Sequence, residues 1–70
     1  MSIKPIEAGD RFMHTGCGAV APCTFIRYLE LGIGEPSRVL VVGLDRVEIA
    51  TSVRRLRHPR ERELAAHWPA

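Results

Sequence analysis

The stretch Arg38 to Thr51, R-V-L-V-V-G-L-D-R-V-E-I-A-T, sets the narrowest limits on what this chain of 70 residues can fold into. Val39, Val41 and Val42 crowd its first half, and Val47 and Ile49 alternate with Glu48 and Ala50 in its second. β-Branched side chains are stiff at χ1 and suit a pleated surface. The stretch predicts two antiparallel strands meeting at a turn around Asp45 and Arg46. Asp-Arg is a poorer two-residue turn than Asn-Gly, so a longer loop is expected. Gly43 interrupts the first strand and marks a bulge or a close backbone approach. A lone hairpin is marginal in water, so the rest of the chain has to wrap this one.

Seventy residues make one domain, near the lower limit for a self-sufficient core. Such a small core gains from a staple: a disulfide, a metal or a second copy of the chain. No run approaches the ~18–20 apolar residues that a membrane span needs. The N-terminus, M-S-I-K-P-I-E-A-G-D, lacks an apolar signal region, and the expectation is a cytoplasmic protein with reduced thiols and no membrane partner. Charge is uneven. Residues 1–53 carry five basic and six acidic side chains, whereas residues 54–70 carry five Arg and two Glu. The whole positive excess therefore lies in the tail.

In chain order, Pro5 biases Lys4 toward extended backbone, and Gly9-Asp10 signals a turn before a short strand over Arg11 to His14. Phe12 and His14 share one face of that strand, with Arg11 and Met13 on the other. Thr15 to Pro22 predicts a loop or bulged hairpin, with Ala19 and Val20 beginning the next strand and Pro22 at an edge or bulge. Cys23 to Leu31 is ambiguous. Thr24, Phe25, Ile26 and Tyr28 favour a strand, but Phe25, Tyr28 and Leu29 also share a helical face, with Pro22 in a first turn and Gly32 as a C-cap. The β-branched content favours the strand. Ser52 to His58 predicts one turn of 3₁₀ helix and a short extended end, because Val53 and Leu56 are three apart. Residues 59–68 predict a helix with Pro59 at N1, Glu61 and Glu63 near its positive end, and Leu64 and Trp68 as i,i+4 partners. So short a helix must dock through Leu64, Ala65 and Trp68 or fray.

Gly9-Asp10-Arg11-Phe12, the glycine loop, the central hairpin and Ser52-Val53-Arg54-Arg55-Leu56-Arg57 together resemble a small SH3-like barrel over residues 9–58. The resemblance implies a mainly β fold of about five strands with a short C-terminal helix over residues 59–68, and no single function. Among such barrels, the plasmid-type trimethoprim-resistant dihydrofolate reductases line a pore with the strand V-Q-I-Y. The corresponding Val47-Glu48-Ile49-Ala50 has an acid for the glutamine and an alanine for the tyrosine. That activity is not carried over.

The sequence offers candidates for four chemistries. His14, Cys17 and Cys23 are weak zinc candidates, since the chain has no CxxC pair and Cys17 to Cys23 is not a standard ligand spacing. Two small buried thiols account for them as well, so no metal or cofactor is expected. Cys17 lacks an orienting acid and an oxyanion hole, and the carboxylates are scattered, so no enzyme is expected. The strongest signal is Arg54, Arg55, Arg57, Arg60 and Arg62, because guanidinium forks bind phosphate and stack on bases. Interleaved Glu61 and Glu63 equally fit a solvated helix face. Leu64 and Trp68 are candidate anchors for a partner, or they close the end of the chain's own core. The expected function is a non-enzymatic module binding nucleic acid through those arginines. The alternative is a protein-interaction or self-assembling barrel, a homo-oligomer using Trp68 and an exposed strand edge.

Overall fold

A computed structural model describes residues 6–16 and 18–69. Five antiparallel strands form one sheet: β1 (Arg11–Gly16), β2 (Ala19–Glu30), β3 (Arg38–Gly43), β4 (Glu48–Ser52) and β5 (Leu56–Arg57). A 3₁₀ turn, Val53–Arg55, separates β4 from β5, and one helix, α1 (Glu61–His67), follows. The sheet order is β4-β3-β2-β1-β5. The chain meanders through its first four strands, and β5 then returns to the far side of β1. Among the described residues no helix is long and apolar enough to cross a membrane.

The ambiguous segment Cys23 to Leu31 is strand through Glu30, part of a β2 that spans 12 residues. Its register with β3 slips between Phe25 and Arg27 and again between Tyr28 and Glu30. Each slip inserts an extra residue, Ile26 and then Leu29, and such bulges bend a strand and raise its twist. Pro22 opposes Met13 of β1, while pairing with β3 begins only at Cys23. The proline thus sits where β2 has a single neighbour, and its missing N–H breaks no inner ladder.

The sheet curls on itself. Two strands lie between β1 and β4 in the order, yet His14 Nε2 lies 2.9 Å from Thr51 Oγ1 across the interior. On this inner face Phe12, Cys23, Phe25, Val39 and Val41 form the core, with Ile6, Val53 and Leu56 packed against it. Val39 and Val41 are fully buried, and each such side chain contributes about 1.5–3 kcal/mol. Thr51 is the one buried polar side chain among the described residues.

The central hairpin turns through three residues, Leu44, Asp45 and Arg46. Arg46 N donates to Gly43 O at 3.0 Å, Gly43 N donates to Val47 O at 3.0 Å, and Arg46 takes φ 67°. This is a type I turn closed by a left-handed residue, a common three-residue hairpin loop. Val47, expected within the second strand, instead closes the loop and is exposed. Gly43 gives Asp45 room, since a Cβ there would come 2.7 Å from Asp45 Oδ1 and push that carboxylate away from Val47 N, from which it accepts.

The 3₁₀ turn and short strand expected over Ser52 to His58 are present. Ser52 Oγ accepts from Arg54 N at 3.2 Å and caps the turn. The C-terminal helix starts later than expected. Arg60 is its N-cap, so Pro59 precedes the cap and is not the first helical residue. The cause is Glu63, whose carboxylate accepts from Arg60 N at 2.9 Å and satisfies a donor with no partner inside the helix.

Candidate nucleic-acid interface

The last third of the chain carries its five arginines on three different supports. Arg54 and Arg55 stand on the 3₁₀ turn and are exposed. Thr15 Oγ1 donates to Arg55 O at 3.1 Å, tying that turn to the end of β1. The Arg55 guanidinium lies against Gly16, where an added Cβ would sit 3.3 Å from Nη1. Arg60 and Arg62 are exposed in the first turn of α1. Five residues of chain span at most about 18 Å, which bounds the separation of the Arg55 and Arg60 Cα atoms.

Arg57 differs from the other four. Its Nη1 donates to Glu63 Oε1 at 2.7 Å and its Nη2 to Glu63 Oε2 at 2.8 Å. This parallel fork is the strong geometry for a guanidinium and a carboxylate. It is the one ion pair among the described residues. Hydrogen bonding from Arg57, then from Arg60 N, pulls the Glu63 carboxyl down to about 2, and the same pairing holds Arg57 above its ordinary range. The fork that would take a phosphate is filled from within. The pair also joins β5 to α1, so Arg57 is a structural member of the basic run.

Leu64 and Trp68 are both half-buried, whereas Ala65 is exposed. The Arg11 guanidinium carbon lies 5.7 Å from the centroid of the Trp68 ring, and His67 meets that ring edge-on at 6.1 Å. Arg11 and Arg57 share the outer face of the sheet with Met13, whose exposure is 2% although it lies outside the inner core. Arg57 reaches Glu63 in α1 and Arg11 reaches Trp68 at its C-cap, which places the helix over this face. Composition and spacing did not bring out Arg11. Its partner is at the other end of the chain, and no local pattern encodes the contact. No local pattern marks Arg38 either. It opens β3 opposite Ser52, beside the 3₁₀ turn, in a recess shared with Glu30 and Glu35.

Of the zinc candidates, Cys17 lies outside the described residues. Cys23 is buried on the inner face, and burial pushes its thiol up to about 11. His14 is occupied with Thr51. Among the described residues no three His, Cys, Asp or Glu side chains gather closely enough to hold a metal ion. No family model, no curated protein and no solved structure matches the chain.

Proposed function

We propose that this chain is a small non-enzymatic binding module on an SH3-like barrel, contacting nucleic acid through Arg54, Arg55, Arg60 and Arg62. The strand order, the bends in β2 and the 3₁₀ turn before a two-residue β5 support the barrel reading. A single observation carries the binding reading. Of the five clustered arginines one is neutralised inside the fold, and the other four are exposed with no carboxylate within salt-bridge distance among the described residues. Guanidinium groups held on a rigid turn and a helix start, without internal partners, are placed to take phosphates. A buried free thiol at Cys23 suits a reducing compartment such as the cytoplasm.

The test is fluorescence anisotropy with a labelled single-stranded oligonucleotide of mixed sequence. Replacing Arg54 and Arg55 together by Ala weakens binding about tenfold and does so equally across sequences, as phosphate contacts do. Equal affinity in the double variant and the parent would overturn the reading.

A further inference from the structure

The outer edge of β4 is an open edge of the sheet over the full length of the strand. β4 terminates the strand order, and among the described residues β3 is its one strand neighbour. The strand at the other end, β5, has only two residues. Hydrogen bonds at both ends of β4 set which of its backbone groups face outward. Gly43 N donates to Val47 O, and Val53 N donates to Ser37 O at 2.9 Å. Opposed residues alternate between bonded and non-bonded pairs. Val47, Ile49 and Thr51 therefore turn their backbone groups toward β3, and Glu48, Ala50 and Ser52 turn theirs outward.

The side chains add an apolar surface to this edge. Ile49 lies opposite Val41 on the core side of the sheet, yet it is 42% exposed where Val41 is fully buried. Val47 and Leu44 beside it are more than half exposed. An opening of about 260 Å³ lies next to Ile49, backed by His14 and floored by Ala21 and Gly43. Natural sheets blunt a free edge with charged side chains, proline, a bulge or an inward charge. β4 reads E-I-A-T-S, with no proline, bulge or inward charge and Glu48 as its single charged side chain.

We propose that β4 pairs antiparallel with β4 of a second copy, about a two-fold axis through Ile49. In that register the two Ile49 side chains meet as a non-bonded pair, where Cα atoms approach to about 4.5 Å. Glu48 faces Ala50, and the pair exchanges both of its N–H···O bonds. Val47 faces Thr51. The one charge in the strand thus meets a neutral residue and never its own copy. An axis through Ala50 would also fit the hydrogen-bond phase, but it would set Ile49 against Thr51 and leave more apolar surface in water. The contact uses the same surface on both copies, so it closes at two. It involves none of the arginines of the basic run, and its failure would leave the nucleic-acid reading untouched.

Light scattering on the reduced protein gives twice the 7.8 kDa chain mass, falling toward the single mass on dilution. Ala50→Pro removes an outward N–H that bonds nothing within the single chain, at an edge position where proline is tolerated, and it weakens association at least about tenfold. Ile49→Lys does the same from an exposed side chain, and circular dichroism confirms that both variants keep the fold. In a Cys17→Ser background, Ile49→Cys oxidises to a covalent dimer, since the paired Cα distance suits a disulfide. Glu48→Cys, facing Ala50, does not. A 7.8 kDa species at every concentration overturns the pairing, as does a dimer that survives Ala50→Pro or cross-links through Glu48→Cys in preference to Ile49→Cys.

Discussion

Arg46 sits in the left-handed region, at φ 67°, in a loop position that ordinarily takes glycine. An L side chain there costs roughly 1–2 kcal/mol, part of which glycine returns as unfolded-state entropy. Arg46→Gly is therefore expected to raise stability by about 1 kcal/mol in urea denaturation. Gly32 presents the opposite case, because a Cβ there would run into the Glu35 carbonyl oxygen. The backbone would have to move, and Gly32→Ala is expected to cost about 2 kcal/mol or more in the same assay. Across the interior, Thr51→Val keeps the shape but leaves the half-buried His14 without its partner, at a cost of about 1 kcal/mol. At this scale the sequence was legible where a residue type has one use. A loop longer than the two residues Asp45-Arg46 was legible, as was the break in the strand at Gly43. Arg46 was not, because nothing about an arginine announces a positive φ. The His14–Thr51 contact was also invisible, since it depends on how the sheet curls.

Among the elements, strand identity was readable from β-branched content, and the ambiguous segment from Cys23 onward resolved on that side. Its length was not readable. The two bulges that let β2 run to Glu30 answer to β3, and no local pattern records them. The helix start was not readable, because an arginine at the N-cap carries no start signal even though Glu63 sits at N3 to accept from its N–H. Glu63 is also claimed by Arg57, six residues earlier and on a strand. This pair gives the helix a pH dependence. The Glu63 carboxyl is near 4.5 when unfolded and about 2 when folded, so its contribution is full above 4.5 and is lost as pH falls through 2. Trp68 fluorescence, followed on acidification, is expected to report α1 leaving the sheet in that window. Glu63→Gln shows the loosened signal at neutral pH and removes the acid transition. An acid transition identical in Glu63→Gln would show that other carboxyl groups control it.

For the whole molecule, one curled sheet supports two surfaces with different chemistry. The inner face holds the apolar core, and the outer face beneath α1 is closed by Arg57 with Glu63 and by Arg11 with Trp68. The mainly β architecture and the concentration of positive charge in the tail were both legible, because each is a property of composition along the chain. The division of labour among the arginines was not. Only the fold shows that Arg57 is spent internally while Arg54, Arg55, Arg60 and Arg62 stay exposed. The most direct test is the affinity for a single-stranded oligonucleotide measured as a function of salt. Four guanidinium contacts predict that log K falls against log salt with a slope of about −2 to −3, and that removing Arg54 and Arg55 reduces its magnitude by about 1 to 1.5. A slope near zero, or one unchanged in the double variant, would contradict a phosphate-binding surface at these four residues.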